Sequence, residues 1–159
     1  MSTPTIRESG IRDVVFGEDV VVHPPVNLYG CQIGDQVMIG PFVEIQRGVT
    51  VGARSRIQSH AFLCEAVTIG ADCFISHGVM FINDKFEHGG PAPGDKSVWK
   101  TTTIGDRVSI GTGAIVLPVR ICAGTVIGAG AVVTKDIDVQ GVYVGNPARL
   151  LTSASEDRA

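Results

Sequence analysis

Aromatic side chains are scarce in this chain, at 6% of 159 residues, whereas glycine occurs 20 times. A packed α/β domain of this length normally draws on large aromatic rings for its core. Many tight turns around a narrow interior are expected instead. No run of 18 apolar residues occurs, so no membrane-crossing helix and no membrane partner are expected. The opening MSTPTIRESG has no apolar stretch and does not read as a secretory leader, which makes the cytoplasm the expected location. Cys31, Cys64, Cys73 and Cys122 form no CxxC pair, which argues against a zinc knuckle or a dithiol redox motif. Reduced thiols are expected, with Cys73 acting as a small buried hydrophobe. An excess of positive charge is also missing: the net charge of −3 speaks against nucleic acid as a partner.

What the chain does have is a repeat. From Ile33 an aliphatic residue returns every six positions, at Ile39, Ile45, Val51, Ile57, Leu63, Ile69 and Ile75, with Phe81 next. Four residues after most of these comes a small or β-branched side chain: Val37, Val43, Val49, Ser55, Ala61, Val67, Cys73 and Val79. Glycine often follows the aliphatic position, as in IGDQVM, IGPFVE, VGARSR and IGADCF. The pattern resumes at Ile104, Ile110, Val116, Ile121, Ile127 and Val133. Phe16, Val22 and Leu28 keep the same step before a one-residue slip into Ile33.

Helices repeat apolar residues every three to four positions and half-buried strands every two, so a step of six fits neither. It fits a short strand plus a turn, repeated, with one side chain per unit entering a shared axis. Three units make a triangular coil of 18 residues. Coils stacked about 4.8 Å apart, about six of them, make a prism about 30 Å tall. Each inward aliphatic contributes about 1.5–3 kcal/mol by burial. An all-β parallel β-helix is therefore expected as one domain over residues 1–151, with a loop excursion at 83–100 and a polar tail at 152–159. The excursion, NDKFEHGGPAPGDKSVWK, is too rich in turn residues and charge to continue a coil, and loops of that length usually carry function. Trp99 is expected to anchor its base. Residues 1–15 and the chain after Val139 are the candidates to cap the open ends.

Residues about 18 apart should lie one above the other. His60 then stacks near Gly78, beside His77, and His77 lies over Ser59. Glu65 lies one coil from Asn83, with Asp84 following. The chain thus predicts two polar clusters on outward corners, His60 with His77 and Glu65 with Asn83 and Asp84. A histidine there can accept a proton and a carboxylate can hold an ammonium group, although solvated corners look the same in sequence.

The repeat resembles the left-handed β-helix of the hexapeptide-repeat acyltransferases over roughly residues 15–150, and the left hand comes from that likeness alone. The stretch IQSHAFLCEAVTIGADCFISHGVMFINDKF resembles, more narrowly, the N-acetyltransferases of nucleotide-linked 3-amino sugars made for surface polysaccharides. The resemblance implies a homotrimer with acetyl-CoA as cosubstrate, sites between subunits, and a loop that reaches a neighbouring prism. It implies that Glu65 and Asp84 hold a dTDP- or UDP-linked amino sugar. His60 is then either a general base or a sugar contact, because some relatives let the amine attack directly while the CoA thiolate takes the proton. His88 is expected to touch substrate or solvent, and His23 to be structural. VYVGNPARLL looks like the exit of such chains beside CoA. The pantetheine arm would pass small residues of the late coils, namely Gly111, Ala114, Gly128, Ala129 and Ala131, with Lys135 and Arg149 on the phosphates. Backbone N–H groups of Ser76–Gly78 would hold the oxyanion.

Two other activities occur on this type of fold. O-acetylation of a sugar or a serine differs only in the acceptor, and the acidic Glu65 and Asp84 favour an amine. A γ-class carbonic anhydrase needs three histidines on zinc, including a closely spaced pair, and no such pair accompanies His60 and His77. No metal is expected. A non-catalytic scaffolding β-helix is the third alternative.

Overall fold

The computed structural model describes residues 4–6, 8–85, 89 and 99–153. Their backbone winds into a three-sided prism of short strands, with no helix among the described residues. The first sheet stacks Ile11–Arg12, Asn27–Tyr29, Glu44–Ile45, Phe62–Leu63, Met80–Phe81, Ile115–Val116 and Val132–Val133. The second stacks Val15–Phe16, Gln32–Ile33, Thr50–Val51, Val67–Ile69, Thr102–Ile104 and Arg120–Ile121. The third runs from Val21–Val22 through Met38–Ile39, Arg56–Ile57, Phe74–Ile75, Ser109–Ile110 and Val126–Ile127 to Gly141–Val144. Arg149–Ser153 adds an antiparallel edge to this third sheet. All other pairings are parallel, as a coil that always turns the same way requires.

Register advances one coil at a time. Phe62 faces Glu44 and Met80, and Ile75 faces Ile57, each offset by 18 residues. Two coils are one residue shorter: Phe16 pairs with Ile33 and Ile104 with Ile121. The slips in the repeat are thus corner deletions that leave the ladder in step. The stack begins at Ile11, earlier than the clear repeat at Ile33, so it holds about seven coils rather than six.

The six-residue aliphatics form the core: Ile39, Ile45, Ile57, Leu63 and Ile75 are wholly buried. So are the residues four positions on, including Val37, Val49, Ser55, Ala61 and Val79. Two side chains per unit enter the interior, not one. The reason is strand alternation over three residues, with Val37 inward, Met38 outward and Ile39 inward. Ser55 tolerates its burial because its hydroxyl donates to the Gly70 carbonyl at 2.9 Å and accepts from the Cys73 N–H at 3.0 Å.

The outer faces differ. Phe62, Met80, Ile115 and Val132 follow one another on the first sheet, and Val21, Met38, Phe74 and Val126 punctuate the third. The second presents Gln32, Thr50, Thr68, Thr103 and Arg120. Two faces are apolar enough to seek cover, and one suits water.

At the ends, two expectations change. Residues 11–15, read as part of a cap, belong to the first coil and its strands Ile11–Arg12 and Val15–Phe16, and Ile11, Val15 and Val21 remain exposed there. The final strand continues to Ser153, two residues into the segment read as a tail, because Val142 and Tyr143 pair with Thr152 and Leu150. Residues 154–159 lie outside the described residues.

Coil spacing makes a direct test. A Cβ added at Gly52 would stand 2.4 Å from the Gly70 carbonyl carbon and 2.5 Å from the Ala71 nitrogen, both backbone atoms of the next coil. Gly52→Ala is expected to lower stability by about 1–3 kcal/mol, read as the midpoint of urea unfolding; an unchanged midpoint would mean the coils can part at that corner.

Candidate functional site

His60 and His77 both point outward at the edge where the third sheet turns into the first. The corner sequences GPF, QSH, SHG, GTG and GAG of residues 40–42, 58–60, 76–78, 111–113 and 128–130 stack there. The Ser59 hydroxyl lies 2.8 Å from Nδ1 of His77. Phe42 stacks on His60, with ring centroids 4.8 Å apart and planes 27° from parallel. Both contacts follow the 18-residue offset, which could have flagged Phe42 from the sequence. The Ser76 and Thr112 hydroxyls meet at 2.8 Å. That pair was hidden, because the excursion inserts extra residues between them.

His60 adopts a left-handed backbone, φ 64°, like Phe42 at 61°. One coil further the same corner position is Gly78, then Gly113 and Gly130. A Cβ at any of these three glycines would meet nothing within 4 Å. Side chains therefore stop at His60, and a bare track continues past it along the prism axis. The glycines expected beside a pantetheine arm, at 111 and 128, stand two positions before the open ones. Gly111 and Gly128 follow the inward aliphatics and are crowded: added Cβ atoms would lie 2.5 Å from the Ala129 nitrogen and 2.8 Å from Val144 Cγ1. Ala114 and Ala131 face the core and are fully buried, so their small size serves packing and leaves no side chain at the surface. Ala129 is exposed and continues the column of His77 and Thr112.

The oxyanion assignment also narrows. The Ser76 N–H donates to the Ile110 carbonyl and the Gly78 N–H to Ser59, holding coil to coil. Of the three, only the His77 N–H stands outside that ladder among the described residues.

The second edge lies between the first and second sheets. The Gln46 side chain accepts from the Glu65 N–H at 3.2 Å, and the Asn83 amide donates to the Glu65 carbonyl at 3.1 Å. Asn83 thereby positions the Glu65 backbone. The Lys100 N–H donates to the Asn83 carbonyl at 2.9 Å, pinching the two ends of the excursion together. Residues 86–88 and 90–98 of the excursion, His88 among them, lie outside the described residues. Trp99 lines a cavity of about 480 Å³ with Asn83, Asp84, Gln46, Cys64, Phe62 and Met80. This hollow lies over the first-sheet face, between Phe62 and Met80 and the base of the excursion. Burial pushes the Cys64 thiol up to about 12. Lys135 and Arg149 come together near the C-terminal end, in a cavity of about 330 Å³ shared with Thr134 and Tyr143. His23 is exposed, and its N–H donates to Ile39. Among the described residues no group of three or more His, Cys, Asp or Glu side chains could hold a metal ion.

These features define a β-helix that displays polar chemistry on its corners. Family models described as bacterial transferase hexapeptide (six repeats) and hexapeptide repeat of succinyl-transferase match residues 30–65 and 101–135. The chain carries the hexapeptide repeats that these models describe, and its coil is the left-handed β-helix expected of them. Among curated proteins it is 35% identical over 130 residues to the bifunctional protein GlmU of Acinetobacter baumannii, covering 80% of this chain and 26% of that one. It is 31% identical over 151 residues to GlmU of Acidithiobacillus ferrooxidans, covering 89% and 33%. The chain thus spans about a quarter to a third of these relatives' length. Among solved structures, a variant of AntD, an N-acyltransferase from Bacillus cereus in complex with dTDP and coenzyme A, aligns with TM-score 0.74 at 22% identity, covering 91% and 84%. A galactoside acetyltransferase in complex with coenzyme A aligns with TM-score 0.65 at 26% identity, covering 76% and 64%.

Two measurements probe this geometry. Because a left-handed backbone disfavours any Cβ, His60→Gly should be more stable than His60→Ala by about 1 kcal/mol in denaturant titration; the reverse order would contradict the corner conformation. Cys64, held protonated far above neutral pH, should resist iodoacetamide at pH 8 in the native protein and react once urea unfolds it. Equal rates in both states would show that the hollow does not shield it.

Proposed function

We propose that this chain transfers the acetyl group of acetyl-CoA to the amine of a nucleotide-linked amino sugar, of the dTDP- or UDP-3-amino type, for surface polysaccharide biosynthesis. One observation carries the reading. A bare glycine track beside two histidines and an edge bearing Glu65 and Asp84 flank a single apolar face. The nature of the relatives supports it, since the aligned structures include an N-acyltransferase bound to dTDP and coenzyme A and an acetyltransferase bound to coenzyme A.

In this reading the pantetheine arm lies along Gly78, Gly113 and Gly130, past Ala129, and Lys135 and Arg149 meet the phosphates of CoA. Glu65 and Asp84 draw in the ammonium form of the acceptor, which releases one proton to solvent before it reacts, and Asn83 keeps Glu65 in place. The neutral amine attacks the thioester carbonyl. The C–N bond forms, the C–S bond breaks, and the CoA sulfur leaves. The amine proton goes to His60, or to the departing thiolate. The His77 N–H faces the developing oxyanion, while Ser59 fixes the His77 ring. The apolar outer faces of the first and third sheets support a homotrimer in which each site forms between two prisms, and the protein would work in the cytoplasm. O-acetylation of a sugar or serine is the second reading: the imidazole of His60 is the kind of base that a hydroxyl, unlike an amine, requires.

Thiol release from acetyl-CoA with a panel of dTDP- and UDP-amino sugars, beside their hydroxyl analogues, tests this directly. Turnover with the amines is expected, and turnover with hydroxyl acceptors alone would replace the reading with the second one. Glu65→Ala and Asp84→Ala should raise KM for the amino sugar about 10-fold or more, the size of a lost charge-assisted hydrogen bond. If both behave as wild type, the acceptor sits elsewhere. His60→Ala should lower kcat by about 10²–10⁴ if it is the base; a small change would assign the proton to the thiolate.

A further inference from the structure

A second polar cavity, of about 770 Å³, opens on the same edge as Glu65 but toward the N-terminal end. Arg12, Asn27, Tyr29, Arg47 and Glu65 line it, drawn from successive coils. Arg12 and Tyr29 are register partners in neighbouring strands. The Arg12 guanidinium lies 5.4 Å from the centre of the Tyr29 ring and donates to Asn27 Oδ1 at 3.1 Å. It also contacts the Glu8 carbonyl. Tyr29 is itself steadied by its hydroxyl, which donates to Glu44 at 3.4 Å. The guanidinium is therefore ordered before any ligand arrives, which lowers the entropy lost on binding.

The sign of charge changes along this edge. Arg12 and Arg47 stand on the early coils, and Glu65 and Asp84 follow on the next ones. Neighbouring coils are about 4.8 Å apart, so Glu65 stands roughly one sugar ring beyond Arg47. A ligand that matches this order is anionic in its middle and cationic at one end. Glu8 and Asp13 also line the cavity. Asp13 adjoins Arg12 in the chain, and the Glu8 backbone carbonyl touches it, so both residues belong to the N-terminal end of the cavity, where carboxylates suit hydroxyl donors and not phosphate.

Resting on the acetyl-transfer reading above, the geometry points to this cavity as the seat of the substrate's nucleoside diphosphate. Arg47 and Arg12 grip the two phosphates, the ribose hydroxyls donate to Glu8 or Asp13, and the amino sugar extends to Glu65 and Asp84. A forked guanidinium pairs with phosphate oxygens through two hydrogen bonds, which a sugar lacking the diphosphate cannot offer.

Calorimetric titration with dTDP and with UDP, each alone and without CoA, tests the site apart from catalysis. The wild-type protein should bind at least one of them. Arg47→Ala should weaken that binding about 10-fold or more, and Arg12→Ala likewise. Arg54→Ala, which breaks an ion pair with Asp72 on a different edge, should leave it unchanged. If Arg12→Ala does not fold, Arg47→Ala and Arg47→Glu carry the comparison. No binding by wild type at millimolar nucleotide, or binding indifferent to both arginines, overturns the proposal. Binding that depends on the arginines, in a protein that acetylates no amino sugar, leaves this cavity standing and removes the transfer reading. Acetylation with an unchanged KM in Arg47→Ala does the opposite.

Discussion

Backbone N–H groups of one coil donate to carbonyls of the next along all three faces, as Met38 does to Ser55 at 3.1 Å and Gly52 to Ile69 at 2.8 Å. These bonds set the coil spacing, and the rest of the molecule answers to that distance. Glycines such as Gly52 sit where backbone meets backbone, β-branched and aliphatic side chains fill the axis, and among the described residues nothing larger than Phe81 is fully buried. The crossover that parallel strands need is the trip round the prism itself, so each strand meets its partner one coil later.

The same spacing turns sequence distance into surface geometry. Groups 18 residues apart become neighbours, so Ser59 reaches His77 and Arg54 reaches Asp72 with equal economy of chain. One ladder is chemical in character and the other simply ties a corner with an exposed ion pair. Position alone does not separate them; the surroundings do. The histidine edge adjoins an apolar face and a run of side-chain-free corners, whereas Arg54 and Asp72 look into solvent.

The prism was legible because its signal is periodic: each of Ile39, Ile45 and Ile57 reports the same inward direction. The outward stacking of His60 and His77 was legible for the same reason. Three things were not. The second inward residue of each unit, Cys73 apart, shows in the sequence as a pattern without the mark of core, because small residues such as Ala61 and Ser55 carry little hydrophobic signal. Gly111 and Gly113 look alike in IGTG, and only the left-handed corner and the crowding by Ala129 tell the open one from the closed one. The Ser76–Thr112 contact and the polar hollow around Tyr29 depend on an insertion and on one-residue-short coils, which break the arithmetic of 18.

Among the described residues the first coil has no strand paired to the outer edge of its three strands, and Ile11, Val15 and Val21 are exposed there. Such a rim is a ready template on which another prism could continue the stack and begin a fibre. Asp13, Glu18 and Asp19 crowd the same end, and their like charges act as gatekeepers against end-to-end growth. The acidic first turns thus help to keep an extendable architecture at finite length.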